Sequence, residues 1–443
     1  MRTAKERRAL INPVPATPII DLQKVSMSFA KPTGEPLPVV TNVDMSLNQG
    51  EILGLLGRSG SGKSTLLRIA AGLMVPTSGR VLYRGAPLRG PSEGIAVVFQ
   101  TFALFPWLTV MENVMTSLDA LGMPEDRARA RALSAIDAIG LTGFEAAYPR
   151  ELSGGMRQRV GFARALVIDP AALLMDEPFS ALDVLTAESL RTDFIDLWRG
   201  QQCPIQSVLL VTHNIEEAVL LCDRILVIAG KPGSIGAELP VELEHPRNRL
   251  DPSFRAVVDT IYEILTARTA QSLESRKRSP MAAQALPDVS VFGIESVIER
   301  LGAAPFNGVA DLSKLAHPLI PHVDNVLAAA EALYILEFGE LADGKLRLTA
   351  GGRLFLDGDQ ETRKRLFKEH LVEFVPLEAH IMQVLHEREL HSAPRVRFSS
   401  ELEDHLSAED AETTLRTAIS WGRYAEIFSY DDQSRVFSLA SKS

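Results

Sequence analysis

EILGLLGRSGSGKSTLLRIAAGLM, residues 51–74, is the stretch on which the fold turns. It opens as a short apolar run, passes through a glycine-rich loop and continues as an amphipathic helical stretch. GRSGSGKST at 57–65 has the spacing Gly-x4-Gly-Lys-Ser/Thr, set between strand and helix as that motif requires. Gly57, Gly60 and Gly62 let the backbone bend so that N–H groups converge on a β-phosphate. Arg58, Ser59, Ser61 and Thr65 complete the loop and are nucleotide-binding candidates with the glycines. Lys63 reaches the β- and γ-phosphates, and the Ser64 hydroxyl can ligate Mg²⁺. A chance glycine turn would not have this strand before it and this helix after it.

Around that loop the chain reads as α/β. IAVVFQ (95–100), AALLMDEP (171–178) and SVLLVTHN (207–214) resemble EILGLLG in being short apolar runs, the pattern of buried parallel strands. Helical stretches such as DRARARALSAIDAIG (126–140) alternate with them, which predicts a mostly parallel sheet covered on both faces. In LLMDEP, Asp176 ends an apolar strand where it would hold Mg²⁺, and Glu177 follows as a candidate general base for an attacking water. Gln100 and His213 end two other runs. Singly, each could be a satisfied structural residue; together, at the carboxyl edge of a parallel sheet, they mark a ligand site. Gln100 is placed to reach metal and water, His213 to bond a γ-phosphate.

ELSGGMRQR at 151–159 presents a second helix start rich in small residues, a further place to offer N–H groups to an anion. With GRSGSGKST, Gln100, LSGGMRQR, LLMDEP, SALD (180–183) and His213 complete and in order, residues 18–268 resemble the ATP-binding subunits of ABC transporters. The resemblance implies ATP with Mg²⁺, the metal held by Ser64, Gln100 and Asp176. It places Phe29 where an aromatic ring stacks on adenine, and Asn214 where many members carry Asp. It also implies a head-to-tail pair of ATP-binding domains, formed with itself or with a sister subunit. Ser153, Gly154, Gly155 and Asp183 would then complete the partner's ATP site, not their own. FALFPWLTVMENV (102–114) falls where transporter cassettes receive a helix from the membrane subunit; Phe105, Pro106 and Trp107 could equally be core packing. That stretch and residues 228–254 look most like importer ATPases of the nitrate, sulfonate, taurine and bicarbonate group.

The 443 residues carry a net charge of −10, and its distribution is uneven. Residues 1–280 hold 30 Lys+Arg and 30 Asp+Glu, residues 281–443 hold 16 and 26. The expected organisation is an ABC ATP-binding domain over 1–269, with a helical subdomain at about 101–165, then a linker over 270–287. An acidic α+β domain over 288–443 follows, in which three helices and a hairpin occur twice, resembling tandem winged-helix units. It also resembles the AAA-associated domain appended to some ATPases of this group, which implies a regulatory or interaction role. Its scattered histidines lack ligand spacing.

No stretch reaches the ~20 apolar residues of a membrane span, and the basic N-terminus lacks a secretory core. Two cysteines, Cys203 and Cys222, give no disulfide framework. The expectation is an ATPase on the cytoplasmic face of the inner membrane, driving uptake of a small anion through separate transmembrane permease subunits. A periplasmic solute-binding protein would be an indirect partner, and no nucleic acid is expected. The alternative is a soluble ATP-dependent regulator whose winged-helix-like tail reads nucleic acid; the acidic balance argues against it.

Overall fold

ILGLLG, ALLMD and SVLLVT are buried at every position, and they are neighbouring strands of one sheet. The computed structural model describes residues 18–30, 36–58, 60–101, 103–200, 205–230, 232–276, 285–315, 326–342 and 344–439. They fall into two compact units whose main boundary lies between Phe254 and Arg255.

In the first, β1 (Ile20–Ala30), β2 (Pro36–Leu47), β3 (Ile52–Gly57), α1 (Lys63–Ala70), β4 (Ser78–Tyr83), β5 (Ala86–Pro87) and β6 (Ile95–Val98) come first. Helices α2 (Val110–Ala120), α3 (Glu125–Ala138) and α4 (Gly154–Leu166) follow. Then come β7 (Ala172–Asp176), α5 (Val184–Arg199), β8 (Ser207–Thr212), α6 (Ile215–Leu221), β9 (Arg224–Ala229) and β10 (Ser234–Pro240). The main sheet has the order β10-β9-β3-β8-β7-β6, parallel except for the β9–β10 pair. A second sheet, β2-β1-β4-β5, was not expected; its strands alternate burial weakly and give little periodic signal. Burying each large aliphatic side chain of the central strands is worth about 1.5–3 kcal/mol, so this sheet is the rigid floor of the unit. Gly54 on β3 is required by packing: a Cβ there would stand 2.7 Å from the Cys222 sulfur.

The second unit contains most of α7 (Pro252–Arg276), then α8 (Val291–Gly302), β11 (Val309–Asp311), α9 (Leu312–Leu315), α10 (Val326–Ile335), β12 (Gly339–Ala342) and β13 (Lys345–Leu348). After α11 (Ala350–Asp357) and α12 (Gln360–Phe374) come α13 (Pro376–Glu387), β14 (Ser392–Pro394), α14 (Arg395–Glu403), α15 (Ala408–Tyr424), β15 (Phe428–Asp431) and β16 (Val436–Leu439). The order helix, strand, helix, helix, strand, strand thus occurs twice, and the sheets β11-β13-β12 and β14-β16-β15 share one strand order. One apolar core runs through both repeats, with Phe367 edge-on to Trp421 at 6.2 Å. Within it Glu378 is fully buried, and neither carboxylate oxygen has a hydrogen-bond partner among the described residues. Burial pushes its carboxyl well above the ordinary carboxylate range.

Three expectations need correction. The linker over 270–287 does not begin at 270, because α7 continues through Arg276; nothing in AQSLESR breaks a helix. At its other end Leu286 is buried and donates its N–H to the Thr414 hydroxyl at 3.1 Å, and Pro287 accepts from Thr417, so both are part of the second unit. Residues 277–284, Cys203, His317 and His322 lie outside the described residues. The boundary expected at 269 falls instead at Phe254. Finally, KLRLTAGGRLFLDG (345–358), whose two short apolar runs flanking Gly351–Gly352 predict the hairpin of the first repeat, does not fold as one. Thr349 caps α11 by accepting from the Gly352 N–H, and β13 pairs with β11 and β12. Gly352 serves close approach rather than a turn: a Cβ there would lie 2.0 Å from the Phe338 carbonyl oxygen.

Candidate active site

Parallel register aligns the ends of the central strands. Leu56 of β3 stands beside Thr212 of β8, and Asp176 of β7 beside Val211. The residues just past those ends therefore meet. α1 starts from Gly62 in the left-handed region (φ 89°), with no side chain capping it, so its first N–H groups face the loop. A Cβ on Gly62 would stand 2.4 Å from a Val40 methyl, which reserves the position for glycine. Gly57 closes β3, and Gly60 is also left-handed (φ 72°). Lys63 is buried, its Nζ donating to the Arg58 carbonyl at 2.9 Å and lying 3.9 Å from Glu177 Oε1. Ser64 Oγ donates to Asp176 Oδ1 at 2.8 Å. Thr65 is half-buried beside it, and Ser59 lies outside the described residues.

Glu177 is the hub. Its Oε2 pairs with His213 Nδ1 at 3.0 Å and accepts from Gln100 Nε2 at 3.3 Å. Its backbone is left-handed (φ 46°), held by its own N–H to the Val211 carbonyl at 3.0 Å and by the Ser180 hydroxyl donating to its carbonyl at 2.9 Å. A non-glycine residue in that region is strained by about 1–3 kcal/mol, and such strain gathers at functional sites. Ser180 was not singled out from sequence; its place three residues after Glu177 in a tight turn is the signal that could have found it. Gln100 lies two residues beyond β6 and reaches Ser180 as well, at 3.5 Å.

The charges are mutually set. Burial pushes Glu177 upward, but the His213 bond and the charges of His213 and Lys63 outweigh it and hold the carboxyl below its ordinary value. The same bond raises His213. Asp176 is raised, chiefly by burial, with the Ser64 hydroxyl opposing. The hydroxyl of Ser61 is buried without a hydrogen-bond partner among the described residues, a vacancy in bonding that an anion seated in the loop would satisfy. Ser64, Asp176 and the Gln100 amide present oxygen donors of the kind Mg²⁺ prefers.

The second loop stands apart. Ser153 caps α4, its hydroxyl accepting from the Met156 N–H at 3.3 Å, and is exposed. Gly155 is buried against α5, where a Cβ would lie 2.3 Å from a Thr186 methyl; Asp183 caps α5 by accepting from Thr186 N at 3.0 Å. Among the described residues, Ser153, Gly154, Gly155 and Asp183 share none of the bonds that join Lys63, Ser64, Gln100, Asp176, Glu177 and His213. Phe29 is 39 % exposed at the end of β1. Phe105 and Trp107 are 40 % and 69 % exposed, their rings 5.5 Å apart, so they are not core packing.

A strand-end glutamate tied to a phosphate-loop lysine, a glutamine and a histidine defines an ATPase of the ABC type. Comparison with known proteins agrees. Residues 40–180 match the ABC transporter family model, and residues 313–431 match the C-terminal AAA-associated domain. The nitrate import ATP-binding protein NrtD of Synechocystis sp. is 43% identical over 243 residues, 53% of this chain and 90% of that protein. The taurine import ATP-binding protein TauB of Burkholderia pseudomallei is 49% identical over 215 residues, 48% of this chain and 81% of the relative. An uncharacterized ABC transporter ATP-binding protein of Methanocaldococcus jannaschii is 41% identical over 241 residues, covering 54% and 89%. The chain belongs to the ATP-binding proteins of ABC transporters.

Proposed function

We propose that the chain hydrolyses ATP to drive uptake of a small anion, of the nitrate, sulfonate, taurine or bicarbonate type, through separate permease subunits. The observation that carries the hydrolytic part is the convergence of Lys63, Gln100 and His213 on Glu177. In this reading Gly57, Arg58, Ser59, Gly60, Ser61, Gly62, Lys63, Ser64 and Thr65 hold the phosphates, and Phe29 stacks on the adenine. Glu177 accepts the proton of the water that attacks the γ-phosphate; held low in pKa, it is ionised at neutral pH. His213 keeps that carboxylate oriented and can turn to the departing phosphate. Mg²⁺, held by Ser64, Asp176 and Gln100, would supply neutralisation of phosphate charge.

The facing protomer supplies Ser153, Gly154, Gly155 and Asp183, whose isolation from their own catalytic cluster supports a head-to-tail pair. Import of an anion is supported by the functions named for the relatives. No helix among the described residues is long and apolar enough to cross a membrane, so passage of the solute is assigned to partner subunits. Exposed Phe105 and Trp107 are offered as the seat for a permease helix on the cytoplasmic side. A periplasmic solute-binding protein belongs to the same assembly. The C-terminal unit, read as paired winged-helix-like modules, is assigned regulation or interaction rather than nucleic-acid binding.

The test is recovery of the tagged chain from detergent-solubilised membranes. Co-purification of a many-span permease, lost on Phe105→Ala with Trp107→Ala, supports the reading. Recovery with nucleic acid, or with no membrane protein, contradicts it.

A further inference from the structure

The region from 281 onward is acidic, with 16 Lys+Arg against 26 Asp+Glu, yet four arginines face one groove of about 490 Å³ on its second repeat. They come from separate elements. Arg395 opens α14; Arg416 and Arg423 lie seven residues apart on one face of α15; Arg435 sits in the turn before β16. The frame is fixed by main chain, the Arg395 N–H donating to the Arg435 carbonyl at 2.8 Å.

Three of the four have exposed carboxylates as ion-pair partners, and Arg423 also donates to the Tyr430 carbonyl. Arg395 bonds both oxygens of Glu412 at 2.7 Å, Arg416 meets Asp288 at 2.7 Å, and Arg423 meets Asp432 at 2.7 Å. These carboxylates are 57%, 65% and 75% exposed. Ion pairs to carboxylates this exposed are screened by water and hold weakly, so a more highly charged anion can displace them. The Arg435 side chain makes no ion pair or hydrogen bond among the described residues. Tyr430 walls the groove, with the Arg423 guanidinium 5.3 Å from its ring centre.

We propose that this groove binds a small phosphorylated anion. Guanidinium forks arriving from three directions suit the tetrahedral, multiply charged phosphate better than a planar monocarboxylate. The exposed carboxylates would yield to it, and the Tyr430 ring, packed against Phe437 at 4.7 Å, gives the groove a fixed wall. Duplex nucleic acid suits the surface poorly, because Glu412, Asp431 and Asp432 would meet its backbone.

The test uses the full chain carrying Lys63→Ala, so that the catalytic loop does not dominate, with pyrophosphate and AMP as calorimetric probes at low salt. Binding of either supports the site, and their relative affinity separates an inorganic from a nucleotide ligand. Arg416→Gln combined with Arg435→Gln should weaken that binding about tenfold or more, with circular dichroism unchanged. Asp432→Asn, which removes a competing counterion without touching an arginine, should tighten it. Absence of binding at millimolar probe, unchanged affinity in the arginine double variant, weaker binding in Asp432→Asn, or a short DNA duplex preferred over pyrophosphate would each overturn the proposal.

Discussion

Two helix starts in the first unit look alike in sequence and differ in structure. At α1 a left-handed Gly62 leaves the N–H groups uncapped, and Lys63 behind them is already tied to Glu177 and, through it, to Gln100 and His213. At α4 the Ser153 hydroxyl fills the cap, the loop is exposed, and none of those bonds reaches it. The first start is a nearly complete site in one chain. The second is half a site, with the geometry of a donor surface and no acceptor beside it. What separates them is their surroundings, since glycine and serine open both.

The sharpest way to isolate the first site is Glu177→Gln. Turnover should fall by roughly 10²–10⁴ while ATP binding remains, measured as phosphate release against nucleotide retention. Equal loss of both would mean that Glu177 only supports the loop. Gly155→Ala attacks the second start. Its Cβ would meet Thr186 at 2.3 Å and shift α4 against α5, and turnover should drop by about 10² with single-chain nucleotide affinity intact. A pH profile refines the first site further. His213 holds Glu177 low, so in His213→Gln the carboxyl rises, and activity should be lost at a higher pH as the solution is acidified. An unmoved acid limb would remove His213 from that role. Phe29→Ala should weaken nucleotide binding about tenfold, the scale of a lost stacking face, and Phe29→Tyr should not.

Most of the first unit was legible because its signals are local. Fully apolar runs such as ILGLLG can only be buried strands here, and the residues at their ends carry the chemistry. The sheet β2-β1-β4-β5 was not legible, since half-buried strands such as SGRVLY give no clean alternation. Nor was the bond from Ser180 to the Glu177 carbonyl, which depends on a left-handed backbone at a residue that sequence alone gives no reason to strain. In the second unit the long helices and the β15–β16 hairpin were legible. β11 and β14, three residues each, are too short for periodicity to register. Gly351–Gly352 misled because a close approach to Phe338 and a turn ask for the same residue.

The claim that each chain completes its partner's site is tested most directly by pairing two inactive variants. Lys63→Ala disables the first helix start and Ser153→Arg the second. Co-expressed with different tags and purified through both, the mixed pair contains one site with both halves intact. It should regain ATP hydrolysis that neither parent has. A mixed pair as inactive as its parents would contradict the account.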